Sequence, residues 1–309
     1  MKSGEMPEKI GGVTLDYRWL PEGAVYNEGD DVEERVLAVL KSGQDPLEAL
    51  KEDDRWPVLY QLSSRRQVIV EPMTLKKTDR VLEIGAGMGP FTGALASRCG
   101  YVDCVELSAR RSLANAYRNR AHDNITIYVG NFEAVQLPAQ YDVITLIGVL
   151  EYAASYIHTQ GDPFEAMLRR AGEMLKPGGL IYIAIENRLG MKYFAGCRED
   201  HLGRRFVGVE GYPAGGGVRT FTHSELRALL DRSGFDSPYF YYPCPDYKLP
   251  SVIYSQDMMP SREAYISDGV SYDQPRSRLF SEQEAMHSLA GTEEQKTFAN
   301  SFLIEARKR

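Results

Sequence analysis

The stretch Val81–Phe91, VLEIGAGMGPF, closes a short apolar run with the acid Glu83 and follows it with Gly85, Gly87 and Gly89 at alternate positions. A residue without Cβ accepts positive φ and lets backbone amides come close to a bound group, so the pattern suits a strand-to-helix turn that cradles a ligand. The spacing is GxGxG. A dinucleotide fingerprint, GxGxxG, needs its third glycine where this chain has Pro90, which weakens a nicotinamide reading. Glu83 argues the same way, because an acid at the strand end repels a pyrophosphate and suits a cationic partner, reached directly or through water.

More candidates follow along the chain. VDCVEL ends a second strand with Glu106, placed to accept hydrogen bonds from two ribose hydroxyls. In YVGNFEAVQLP, Asn131 and Phe132 follow a third strand and offer an amide and an apolar face to an adenine ring; Phe132 reads nearly as well as core. YDVITLIGVLEYA places Asp142, read as a structural cap, before an apolar run ending in Gly148, Val149, Leu150 and Glu151. Glu151 and Tyr152 read equally as a helix-start acid with a packing aromatic, or as groups facing a substrate. His201, in CREDHLG beside Glu199 and Asp200, is a candidate general base, since a neighbouring carboxylate can orient the ring and raise its basicity. Arg188, Lys192, Tyr193 and Arg198 offer donors to an anionic acceptor, Arg through its bidentate fork; plain solvated surface is the simpler reading of that charge run. Glu151 is the alternative base to His201.

These residues need elements to hold them. RVLEIG, YVDCVEL, ITIYVG, YDVITLIGVL and GGLIYIAIEN are short β-branched runs, and GPFTGALASRC, SARRSLANAYRNR and DPFEAMLRRAGEMLK between them carry helical spacing. Such alternation predicts βαβ units and a parallel sheet. Upstream, DDVEERVLAVLKSG, DPLEALKE and WPVLYQLSSRRQVIVEPM predict helices, the first capped by Asp30 and stopped by Gly43, while residues 1 to about 28 lack periodicity and read as an arm over the body. Residues 188–221 are glycine-rich and mix aromatics with charges, as an inserted lid or substrate segment does. THSELRALLDRSGF restores a helix, with a Thr222–Glu225 capping box and a stop at Gly234. YFYYPCPDY predicts a strand and TFANSFLIEARK an edge strand. The chain therefore divides into a helical N-terminal arm or cap (1–74), a ligand-binding core (75–187), the lid segment (188–221) and a completion of the core (222–309) with a polar insertion at about 250–292.

Composition excludes several classes. The chain has 309 residues, 43% hydrophobic and 26% charged, enough for a sizeable core. A formal net charge of −7 argues against a surface built to neutralise nucleic-acid phosphates. Cys99, Cys104, Cys197 and Cys244 lack CxxC or Cys/His ligand spacing, so neither a zinc site nor a disulfide framework is expected, and no metal is assigned. MKSGEMPEKIGG has no apolar core of signal-peptide type, and no run reaches the roughly 18 apolar residues of a membrane span. A cytoplasmic protein is the expectation.

Taken together, the glycine turn, Glu106, NF, GVLEY and the Pro-Gly-Gly turn resemble the class I S-adenosylmethionine-dependent methyltransferase family over residues 75–187, and THSELRALLDRSGF extends the likeness. The resemblance implies an α/β, doubly wound, mostly parallel Rossmann-like sheet of seven strands, the last antiparallel. It also implies that S-adenosyl-L-methionine binds, leaving S-adenosyl-L-homocysteine as product. Glu83, Gly85, Ala86 and Gly87 would surround its methionine part, Glu106 its ribose, and Asn131 and Phe132 its adenine, with Leu107 a further cofactor contact; Gly148 would offer a carbonyl to the amino group. Asn131 stands where the family often has Asp, and an amide still bonds adenine N6. No NPPY-type tetrapeptide follows the fourth strand, which counts against nucleobase and glutamine-amide methylation. YQLSSRRQVI, IENRLGMKYFAGCREDHLG and YYPCPDYKLPSVIYS resemble methyltransferases of bacterial surface-polysaccharide gene clusters, which implies a sugar, glycan or glycan-phosphate acceptor; a secondary metabolite with similar groups fits as well. The expected reaction is direct in-line O-methylation. N-methylation and a non-catalytic cofactor-binding regulator remain alternatives, and an NAD-dependent oxidoreductase is the weaker one. The acceptor and the oligomeric state are not legible.

Overall fold

The computed structural model describes residues 6–20, 30–215, 217–264 and 276–309. Two compact units emerge, Met1–Thr145 and Leu146–Arg309. No helix among the described residues is long and apolar enough to cross a membrane.

The first unit carries strands β1 (Lys9–Ile10), β2 (Val13–Trp19), β3 (Arg80–Ile84), β4 (Tyr101–Glu106), β5 (Ile125–Gly130) and the start of β6 (Tyr141–Ile147), in the order β1-β2-β5-β4-β3-β6. The pairs β2/β5, β5/β4 and β4/β3 are parallel. Val81, Leu82, Val102, Cys104, Ile125 and Ile127 are all buried, as expected where helices cover both faces of a parallel sheet. Register brings Ile84 opposite Val105 and Glu106 opposite Val129, so the segments leaving β3, β4 and β5 share one edge. That edge is where ligands bind open α/β sheets.

Helices α1 (Asp30–Ser42), α2 (Pro46–Glu52), α3 (Trp56–Leu62), α4 (Thr92–Ala96) and α5 (Ala109–Arg118) complete this unit, with a 3₁₀ turn over Ser64–Val70. Val32, Val36 and Val39 of α1 form one apolar cluster with Val58, Leu62, Ala114 and Met88, the last from the glycine turn itself. A buried ion pair joins α1 to α5, with Arg111 Nε 2.8 Å from Glu33 Oε1. The N-terminal region is therefore not purely helical. Val13–Trp19 was expected to be part of an arm, yet alternating burial of Val13 and Leu15 against exposed Thr14 lets it extend the sheet beside β5. Asp30 is the first residue of α1; its capping side chain lies outside the described residues, as do residues 1–5 and 21–29.

The second unit contains α6 (Ala153–Tyr156), α7 (Pro163–Met174), β7 (Leu175–Glu186), α8 (Met191–Phe194), α9 (His223–Arg232), β8 (Phe235–Cys244), β9 (Val252–Ser255), α10 (Glu282–Ser288), α11 (Glu293–Thr297) and β10 (Ser301–Lys308). Its strands follow the order β7-β10-β8-β9, each pair antiparallel. The Thr222–Glu225 capping box forms in full: Thr222 Oγ1 accepts from Glu225 N and Glu225 Oε2 accepts from Thr222 N.

Two sequence expectations change. The α/β Rossmann-like class and an antiparallel last strand hold, but ten strands replace seven, because β1, β2 and β9 are added. SFLIEARK is not an edge: β10 bonds both β7 and β8, and burial of Phe302, Leu303 and Ile304 on successive positions explains why it sits inside. Residues 188–221 are built into the second unit. There the Tyr212 hydroxyl binds Glu199 and Thr220, and Arg188 grips Glu225. Of the polar stretch 250–292, residues 265–275 lie outside the described residues, while β9 and α10 give the rest regular structure.

Candidate functional site

In the first unit the glycine turn is locked from below. Thr92, at the start of α4, donates to Glu83 Oε2 at 2.5 Å and accepts from Asn115 Nδ2 at 3.1 Å, while Asn119 Nδ2 bonds Asn115 Oδ1 and the Gly89 carbonyl. Gly89 has φ of 74° and a Cβ there would meet Asn115 Oδ1 at 2.2 Å, so packing demands glycine. Gly87, with φ of 55°, faces open space. The two glycines serve different ends: one lets the turn pack and the other leaves room above it.

The Gly87 amide donates to Glu106 Oε2 at 2.8 Å, and Glu106 Oε1 accepts from Ser108 N at 2.8 Å. Burial pushes the Glu106 carboxyl up, and Arg111 with these two amides opposes the shift. Each carboxylate oxygen keeps a second lone pair for a further donor. Gly85 and Ala86 spend their amides on the Val105 carbonyl. Leu107 is half-buried, Phe132 is buried, and Asn131 Oδ1 accepts from Glu133 N. Glu83 is wholly interior, and burial raises it to about 7 against the pull of Thr92 and Cys104. Arg66, buried with its guanidinium over Tyr60 and Phe91, adds a positive field on Glu83.

The second unit gathers a different set of groups. Gly148 follows β6, with φ of 69° and its amide bonded to the Ala184 carbonyl. Glu151 sits on the 3₁₀ turn Leu150–Tyr152, Glu186 ends β7, and His201 lies in the loop after α8. One donor atom from each lies within 4.8 Å of the others. His201 Nε2 is 3.4 Å from Glu186 Oε2, and its Nδ1 is 3.0 Å from the Tyr152 hydroxyl. Lys248 Nζ reaches Glu186 Oε1 at 2.8 Å and Asp200 Oδ1 at 2.7 Å, and Lys192 Nζ reaches Asp200 Oδ2 at 2.8 Å and Asp246 at 3.9 Å.

Burial and the Glu186 carboxylate push Glu151 up, holding it protonated. Burial opposes ionisation of Glu186 too, but Lys248 and His201 prevail and hold it a carboxylate. His201, though buried, is raised to about 9 by Glu186. A buried cluster thus stores protons beside a half-buried phenol.

His201, Glu151 and Tyr152, expected separately, come together here. The ring is oriented by Glu186 rather than by its neighbours Glu199 and Asp200. Glu199 Oε2 instead accepts from the amides of His201 and Leu202, which shapes the loop, and Asp200 serves the two lysines and Tyr193. The expected anion-binding donors are occupied: Arg188 by Glu225, Lys192 by Asp200, and the buried Tyr193 hydroxyl by Asp200, while exposed Arg198 bonds the Gly203 carbonyl. Glu186 and Lys248 escaped the sequence reading. The only signal for Glu186 was an acid closing the apolar run of IYIAIEN, the same signature that marks Glu106.

The methyltransferase-domain family matches residues 58–237, more than half of the chain. The chain belongs to that methyltransferase family. Among curated relatives, the methyltransferase is 30% identical over 117 residues to a protein-L-isoaspartate O-methyltransferase of Roseiflexus castenholzii, covering 36% of this chain and 50% of that one. It is 29% identical over 80 residues to ribosomal RNA small subunit methyltransferase A of Syntrophus aciditrophicus, covering 26% of each. The chain thus spans half or less of the length of these relatives. A solved S-adenosylmethionine-dependent methyltransferase of Thermotoga maritima shares 19% identity, with 85% of this chain and 97% of that chain covered at a TM-score of 0.47.

Proposed function

We propose that this methyltransferase moves a methyl group in line from the sulfonium of S-adenosylmethionine to a hydroxyl oxygen of a small molecule, sugar, glycan or glycan-phosphate. The observation that carries the reading is the buried cluster of Glu151, Glu186 and His201 beside Tyr152, in which His201 can pass its proton to the Glu186 carboxylate as it takes the one an acceptor hydroxyl must lose. Glu106 accepts from the ribose hydroxyls with its remaining lone pairs, the space over Gly87 receives the methionine part beside Gly85 and Ala86, and Asn131, Phe132 and Leu107 flank the adenosine. Glu83 braces the turn from beneath through Thr92.

For the acceptor, Tyr152 presents its hydroxyl and His201, backed by Glu186, takes the proton, with Glu151 the alternative base once ionised. Alignment and exclusion of water supply the rest of the acceleration, since displacement at a sulfonium methyl needs no covalent enzyme intermediate. The test is transfer of labelled methyl from S-adenosylmethionine to a panel of sugars, sugar phosphates, glycosylated metabolites and amines. O-methylated product from the wild type, lost in His201→Ala with cofactor affinity retained, supports the reading. Product on amine nitrogen alone would replace it with N-methylation, and cofactor binding without transfer to any acceptor would favour a regulator.

A further inference from the structure

The Glu151–Glu186–His201 cluster is more than a proton store, because its inward atoms are unspent. Glu151 is fully buried and neither carboxylate oxygen has a hydrogen-bond partner. A buried polar group in that state costs free energy unless something else satisfies it. His201 Nε2 also lacks a directed hydrogen bond, whereas Nδ1 is engaged by the Tyr152 hydroxyl. That is the arrangement of a metal-bound imidazole, in which one nitrogen is oriented by an outer partner and the other points at the ion. Glu186 divides its oxygens the same way: Oε1 faces Lys248, and Oε2 faces His201 Nε2 at 3.4 Å.

We propose that Glu151, Glu186 Oε2 and His201 Nε2 form a binding site for one divalent first-row transition cation such as Mn²⁺ or Zn²⁺. Ligand bonds of about 2.0–2.2 Å place neighbouring donors about 3 Å apart, so the 3.4 Å pair needs little movement and Glu151, within 4.8 Å of both, needs a side-chain rotation. Charge agrees with the donor count. Once Glu151 gives up its proton and His201 is neutral, as ligation requires, the ammonium groups of Lys192 and Lys248 stand against four carboxylates, Glu151, Glu186, Asp200 and Asp246, an excess that one divalent ion neutralises in place of the two protons it displaces. One imidazole with two carboxylates favours Mn²⁺, Fe²⁺ or Zn²⁺ over the all-oxygen sites of Mg²⁺ and Ca²⁺. Three protein ligands leave a position open, where an acceptor hydroxyl would be polarised and lose its proton more readily. That role rests on the acceptor reading above; binding of the ion does not.

The test uses chelator-treated full-length protein. Mn²⁺ is titrated with its free-ion electron paramagnetic resonance signal as readout, Zn²⁺ by calorimetry, and thermal unfolding is followed with each. Glu151→Gln is the main variant, because the Glu151 carboxyl has no hydrogen bond to lose and Gln keeps its size; Tyr152→Phe removes the outer partner and keeps all three ligands. Expected are one ion per chain, an affinity drop of about tenfold or more in each variant, and an ion-dependent rise in melting temperature that Glu151→Gln abolishes. No stoichiometric binding of either ion to the folded protein, or equal binding by Glu151→Gln, overturns the site. Full methyl transfer in excess chelator overturns the activating role and leaves the O-methylation reading standing. Stoichiometric binding without transfer to any hydroxyl acceptor supports the site and sinks that reading instead.

Discussion

The glycine turn of the first unit and the acidic cluster of the second solve opposite problems. Around the turn the bracing side chains are bonded inside the fold: Thr92, Asn115 and Asn119 hold it from below, and Glu106 is held by two backbone amides. The cluster, by contrast, leaves the oxygens of Glu151 and the Nε2 of His201 without hydrogen bonds and balances charge with lysines and protons. On the proposed reading, groups that would hold a cofactor in a fixed pose are satisfied in advance, and groups that would exchange a proton or take an ion are kept unsatisfied. Substitutions should therefore separate affinity from turnover.

The sharpest separation is expected at His201. His201→Ala should lower kcat by about 10²–10³ with S-adenosylmethionine affinity unchanged, measured by steady-state rates beside calorimetry; a matching loss of affinity would break the contrast between the two regions. Glu106→Ala should do the reverse, weakening S-adenosylmethionine and S-adenosylhomocysteine about a hundredfold, because a charged hydrogen-bonding group is lost and the Gly87 and Ser108 amides lose their acceptor. Unchanged calorimetric affinity in that variant would remove Glu106 from the cofactor site.

Smaller effects test how the turn is braced. Glu83 is raised from its ordinary 4.5 to about 7 in the native state. The folded protein therefore keeps a proton that the unfolded chain releases, and ligand-free stability should fall as pH rises from 4.5 through 7, by on the order of 3 kcal/mol. Urea unfolding at both ends of that window should show this slope in the wild type and a flattened one in Glu83→Gln. Gly89→Ala should cost about 2 kcal/mol from strain and its collision with Asn115, whereas Gly87→Ala, facing open space, should cost about 1 kcal/mol and act mainly on cofactor affinity. At the small end, Arg188→Ala should cost about 1 kcal/mol through loss of its partly exposed pair with Glu225 and leave kcat nearly unchanged. A large fall in turnover would restore Arg188 as an acceptor contact.

What the amino-acid order determined by itself was whatever the backbone enforces locally. Alternating β-branched runs became β3 to β7, the glycines of VLEIGAGMGPF became a positive-φ turn, and Thr222 with Glu225 became a capping box. Glu106 was legible because it stands at a fixed place relative to a strand end, and parallel register then sets it beside the turn. The inserted pairing of β10 and the use of Val13–Trp19 as a strand were not legible, since neighbours far away in sequence supply the hydrogen bonds. The cluster lies at the same extreme. His201 was visible as a candidate, but Glu186 became its partner only when a strand end, a short turn and a distant loop met. Burial then set which group holds a proton and which stays charged. Period and φ are properties of a few consecutive residues; the distances and the dielectric that tune a carboxylate and an imidazole exist only once the chain has packed.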